Sequence, residues 1–293
     1  MTHNKIIRLL AITGALLTAT ARAQTAEKIN PGLGVFTATE QDTTPKNYIG
    51  INIQPNLTWE ADNCKVGYYG SFYCEKNDPG TDSDWATLGS KIQAESEGWT
   101  LEIGRGNTQK YAGHLYTPTT SSFDNLGAGK GTTRNYTGAI LTHKGTGLSL
   151  GQVASNGNLS HLDQTLLGWT KELTEQWAIQ LQAAADQNGL SKTGASLKWQ
   201  ADDATALVAE GFYKDHETTA LLTANRRLTD NLTLFGGAQM TWADEKETGG
   251  LLTAGASYKL GNNITLVTAA QQKIGDDAET TALAGIKFNG NLR

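Results

Sequence analysis

A hydrolytic centre needs a nucleophile and a base held within hydrogen-bond reach. The chain offers five histidines, His3, His114, His143, His161 and His216, scattered along its length. His143 and Ser149 lie across a turn, but their spacing matches no nucleophile–base arrangement. Gly127-Ala128-Gly129-Lys130-Gly131-Thr132 has the glycines of a phosphate loop. Gly131, however, stands where a hydroxyl must follow the lysine, and no strand-to-helix context surrounds it. No His/Cys cluster has metal-ligand spacing. These residues predict no enzyme, no cofactor and no metal centre.

Cys64 and Cys74 pose a sharper question. In an oxidising compartment two cysteines of an exported chain are expected to pair. A straight strand through both separates them by roughly 33 Å, whereas a disulfide needs a Cα separation of about 4.4–6.8 Å. Either 63–75 is one long strand with free thiols, or it is a hairpin turning at Tyr68-Tyr69-Gly70 and stapled at its base.

The elements that carry these residues are strands. From Tyr48 to Glu60, Ile49, Ile51, Ile53, Pro55, Leu57 and Trp59 alternate with Gly50, Asn52, Gln54, Asn56, Thr58 and Glu60. Successive strand residues point to opposite faces, so one face is apolar and the other wet. The same period of two predicts sixteen strands, near 31–41, 47–60, 63–75, 84–95, 97–106, 134–143, 146–155 and 161–172, and then near 176–187, 191–200, 203–214, 217–228, 231–243, 249–260, 263–274 and 278–289. The stapled hairpin would remove one strand, and an even count then removes another, giving fourteen. Many segments reach about 10 residues, longer than the usual 5–6 and close to what a tilted membrane strand requires. Trp59, Trp99, Trp177, Trp199 and Trp242 fall near strand ends, the level at which indoles settle at a membrane boundary. Lys91 and Glu102 fall on the wet parity of their strands.

Export is written at the N-terminus. Lys5 and Arg8 precede the apolar run from Leu9 to Leu17, and Ala21-Arg22-Ala23 ends the segment. A basic start, a short apolar stretch and a small-residue site read as a signal peptide, here 1–23, with the barrel over 24–293. Whole-chain charge is −5, from 24 basic and 29 acidic residues. Three of those basic residues lie in the leader, so the remainder is more acidic still, with no basic stripe for nucleic acid. With 33 glycines and only 38% hydrophobic residues, the composition excludes a helical membrane protein but suits a barrel that is apolar at every second position.

At this point the chain resembles the general porins of Gram-negative outer membranes. Its most specific piece is Trp99-Thr100-Leu101-Glu102-Ile103-Gly104-Arg105-Gly106-Asn107, which looks like the fifth porin strand closed by a Gly-Arg pair. The longest loop, about 107–133, follows at once. Arg227-Leu228-Thr229-Asp230-Asn231-Leu232 and Tyr258-Lys259-Leu260-Gly261-Asn262-Asn263 resemble porin periplasmic turns, and Phe288 resembles the aromatic end of a last barrel strand. The resemblance implies an all-β transmembrane antiparallel barrel whose long loop after strand five folds into the lumen. It implies a homotrimer in outer-membrane lipid and lipopolysaccharide, passing small hydrophilic solutes and ions by diffusion. By the same resemblance Arg105 is the wall residue of a constriction and Asp124 the facing carboxylate on the loop; Glu102 and Lys91, from their wet parity, are secondary candidates beside them. Strict alternation points Arg105 outward, so the pore role needs a bulge at Gly104; the other reading has Arg105 snorkelling at the rim. Two other functions stay open: a substrate-specific channel for sugars or small organic acids, hinted at by Tyr69 and Tyr73, and a non-channel surface or structural barrel.

Overall fold

The computed structural model describes residues 24–40, 46–61, 64–77, 84–107, 135–155, 158–214, 216–243, 246–275 and 278–289. These form sixteen strands. The first four are β1 (Gln24–Glu40), β2 (Lys46–Ala61), β3 (Cys64–Asn77) and β4 (Asp84–Ser96). Next come β5 (Trp99–Asn107), β6 (Asn135–His143), β7 (Leu148–Val153) and β8 (Gln164–Glu172). The third quarter holds β9 (Trp177–Asp186), β10 (Gly189–Gln200), β11 (Thr205–Lys214) and β12 (Glu217–Arg227). The last holds β13 (Leu232–Ala243), β14 (Lys246–Lys259), β15 (Ile264–Ile274) and β16 (Thr280–Asn289). Every strand pairs antiparallel with its chain neighbours, and β1 pairs with β16, so the sheet closes on itself. Closure removes the unpaired edges that a sheet this wide would otherwise expose.

All sixteen anticipated strands are present. β1 is longer than its sequence signal: Gln24–Asn30 lack apolar alternation but pair through the backbone with Gln54–Glu60 of β2. At one end the connections are uniformly tight. The β4–β5 link is the two residues Glu97 and Gly98, with φ of 38° and 84°, the positive values that a two-residue hairpin turn demands. The longest connection, between β5 and β6, leaves from the other end, where both residues of the 5–6 pairing Asn107 and Asn135 stand opposite each other.

The stapled-hairpin reading is corrected. β3 runs unbroken from Cys64 to Asn77, and Cys64 is a free thiol. Cys64 pairs in register with Ser96 near the tight-turn end, whereas Cys74 pairs with Trp85 toward the opposite end. One extended strand sets the backbone positions 64 and 74 far beyond disulfide reach, so of the two readings the long strand with a free Cys64 thiol is the one this fold matches.

Which face is which follows from burial. On β9, Ala178, Gln180, Gln182 and Ala184 are buried, while Trp177 and Leu181 are exposed. Side chains on the concave face converge and cover one another; those on the convex face splay apart. The result inverts the pattern of a soluble protein: Gln180, Gln182, Ser196 and Glu210 are 2–6% exposed, while Leu167 and Leu222 are 57% and 52% exposed. A wall with leucines out and glutamines in suits lipid outside and polar contents within. The inward face is not uniformly polar, as the alternation had suggested. Tyr136, Ile140, Val153 and Leu166 form one buried apolar cluster on β6–β8, and Val267, Ala269 and Leu283 form another with Phe235.

Aromatic rings mark the tight-turn end. Trp177 and Trp199 are register partners and stack at 5.9 Å with 25° between planes. The Trp169 indole N–H donates to the Thr146 carbonyl at 3.2 Å, and Trp99 tilts over His143 at 4.6 Å.

Candidate functional site

The inward charges cluster where β3, β4, β5 and β6 lie side by side. The two-residue β4–β5 turn pairs Ser96 with Trp99, and the register it sets places Gln93 opposite Glu102 and Lys91 opposite Gly104. Because Gly104 offers no side chain, the Lys91 stem can lean diagonally, and its ammonium forms an ion pair with the Glu102 carboxylate. Both partners are half sheltered, at 24% and 18% exposure. From β6, the Tyr136 hydroxyl donates to the other Glu102 oxygen at 3.3 Å. Room for that phenol comes from Gly106, where a Cβ would stand 2.9 Å from the Tyr136 oxygen. From β3, the Tyr69 ring sits 6.0 Å from the Lys91 ammonium, a cation–π distance.

Toward the tight-turn end the same wall carries more paired charge. Lys65 meets Glu60 at 2.6 Å, Lys144 pairs with Glu95, and the Gln93 amide donates to Glu95 at 2.5 Å. The arrangement holds no nucleophile beside a base. It offers a row of fixed, mutually neutralised charges with phenol and amide groups between them, able to hydrogen-bond a small polar molecule without holding it by net charge.

The anticipated constriction residues part company here. Lys91 and Glu102 are brought together. Arg105 does not join them: register through Ile103–Ala139, Gly104–Gly138 and Arg105–Thr137 is continuous, so the bulge that would have turned it inward is not formed. Gly104 has φ of 132°, yet Arg105 keeps the outward parity of Leu101 and Ile103 and is exposed at the end of β5. Asp124 lies outside the described residues. Tyr69 faces inward as its parity suggested. Sequence reasoning missed Tyr136, Gly104 and Gly106, though inward-parity glycines at 104 and 106 are themselves a sign that longer side chains fold over them.

The fold and this wall together define a sixteen-strand, porin-like barrel. The chain superimposes on a doubly substituted variant of Rhodopseudomonas blastica porin with a TM-score of 0.59, 16% identity and coverage of 91% of this chain and all of that one. A more heavily substituted variant of the same porin gives 0.58 at 15% identity with the same coverage. A chain from work on asymmetric conductivity of engineered proteins gives 0.57 at 15%. No protein-family model and no curated protein matches the sequence.

Proposed function

We propose that this chain is an outer-membrane channel through which small hydrophilic solutes and ions diffuse passively. The observation that carries the reading is the inversion of the wall: exposed leucines on the convex face of a closed barrel, and on the concave face glutamines, threonines and the Lys91–Glu102 pair. Such a wall is stable where lipid surrounds it and polar contents fill it, and a sixteen-strand closure is wide enough for an aqueous path. Residues 1–23 act in this reading as the cleaved export signal, and the tight turns face the periplasm. Arg105 then sits at the outer rim. Assembly as a homotrimer rests on the family resemblance.

The purified protein in planar bilayers should give stepwise, ohmic conductance increments. Bilayers that stay closed under conditions that reconstitute a known porin would refute the channel. The sugar-specific reading is favoured by one observation, the paired phenols Tyr69 and Tyr136 at the charge pair; it requires current that is blocked saturably by one solute class. No enzymatic role is proposed.

A further inference from the structure

The convex wall is not smooth. Across β5–β9 it sinks into an apolar groove of about 800 Å³, within the range of roughly 300–1,000 Å³ that accommodates a small-molecule ligand. Its floor and sides are Leu141, Leu148, Leu150, Leu167 and Leu181. Three of these, Leu148, Leu150 and Leu167, are each more than half exposed. The dent coincides with β7, whose six residues make it the shortest strand of the barrel.

At the tight-turn end the groove changes character. Trp99 and Trp169 flank it, and His143 and Thr146 close it. The Thr146 backbone N–H donates to His143 Nδ1 at 3.2 Å. Thr146 thus holds the imidazole in place through its backbone, at the polar end of the groove. Two residues beyond Trp169 on the same outward parity lies the exposed Lys171. An apolar trough that ends in two indoles and an imidazole, with a lysine just past its lining on the same face, is matched by a molecule with aliphatic tails and an anionic head.

We propose that this groove holds one diacyl phospholipid of the leaflet at the tight-turn end, tails against the leucines and phosphate toward Lys171 and His143. The inference rests on the outer-membrane reading above. A second copy of the chain fits less well. The groove spans five strands, about 19 Å, whereas a sixteen-strand wall is convex and about 30 Å across, so it sinks only about 3 Å between the lips and cannot follow the groove as flexible tails can. Flexible tails fill the dent and relieve the mismatch that a short strand creates with the surrounding bilayer.

The test is native mass spectrometry of the full barrel in mild detergent, with dipalmitoyl phosphatidylglycerol and dipalmitoyl phosphatidylcholine as probes. One lipid per chain should survive activation that strips the rest. Leu150→Trp, which fills the groove, should cut retention roughly fivefold, and Leu167→Trp should do the same, about 1 kcal/mol in affinity. Lys171→Gln should keep the lipid but lower the preference for phosphatidylglycerol roughly threefold, as expected of one exposed ion pair. Equal retention by the parent and both tryptophan variants overturns the site. So does loss of a multi-chain assembly on Leu150→Trp with lipid retention unchanged, because the occupant is then another subunit. Planar-bilayer conductance is measured on every variant. A conducting parent that retains no lipid defeats this inference alone, whereas a parent that neither conducts nor needs detergent defeats the membrane reading beneath it.

Discussion

Removing one half of the Lys91–Glu102 pair should give the channel a charge preference that the intact pair suppresses. Glu102→Gln keeps side-chain length and an acceptor for Tyr136 but leaves the Lys91 ammonium uncompensated on the inner wall. A unit charge about 6 Å from a passing ion, in the dielectric of bulk water, changes that ion's energy by roughly 0.7 kcal/mol, or about threefold in local concentration. The lower dielectric beside a protein wall strengthens the effect while salt weakens it, so threefold is the scale expected at low ionic strength. Reversal potentials in a dilute salt gradient should show the anion-to-cation permeability ratio rise about threefold for Glu102→Gln. Lys91→Met, which keeps the aliphatic stem over Gly104, should move it the opposite way. The double variant should return to the parent value. Both single-variant shifts should shrink toward 1 M salt, where the screening length falls to about 3 Å. Single variants that shift in the same direction, or a double variant that behaves like one of the singles, would show that the pair does not face the conducting path.

Other perturbations probe the wall and its connections. Leu167→Lys places a charge on the convex face between Leu150 and Ala183 and should cost about 2–4 kcal/mol, read as a lowered unfolding midpoint in detergent; the same change at inward Gln93 should cost little. Alkylation without prior reduction should modify Cys64, and tryptic mapping should find no peptide linking it to Cys74. In the β7–β8 connection, the Ser155 hydroxyl and its backbone N–H, the latter at 2.7 Å, both donate to Asp163 and hold its carboxyl below the usual range. A depressed folded value means that this support is complete above the ordinary carboxylate range and is lost as pH falls through the depressed one. The protection of the Ser155 amide, its exchange rate relative to the intrinsic rate at the same pH, should therefore fall on acidification below that range, and Asp163→Asn should show the low protection at neutral pH. A Ser155 amide indifferent to both changes would remove Asp163 from any anchoring role.

The strands were legible because a period of two, sustained over ten residues, has no competing explanation. Gln24–Asn30 escaped because Glu27 and Lys28 break the apolar parity and only pairing with β2 extends the strand. The charge pair was half legible: parity set Lys91 and Glu102 on the wet face, but their contact depends on register. Register in a hairpin follows from the turn, and placing the turn at 96 instead of Glu97–Gly98 hides the diagonal. Tyr136 was beyond reach, since its register is fixed across the longest loop. Arg105 misled because a family motif drew attention to its charge, while the physical work of Gly104-Arg105-Gly106 on the inner wall is done by its two glycines. Inward Val267 and Leu283 also defeat a simple wet-face rule, because what parity fixes is direction and not polarity.

The seam between β1 and β16 joins Gly32 to Asn289 and Leu33 to Phe288, residues nearly the full chain apart. A wall completed there cannot close before β16 has been made and brought beside β1. Every earlier stage carries two raw borders able to recruit foreign strands. Until the two strands of that seam meet, the sheet has to be kept from pairing with anything else.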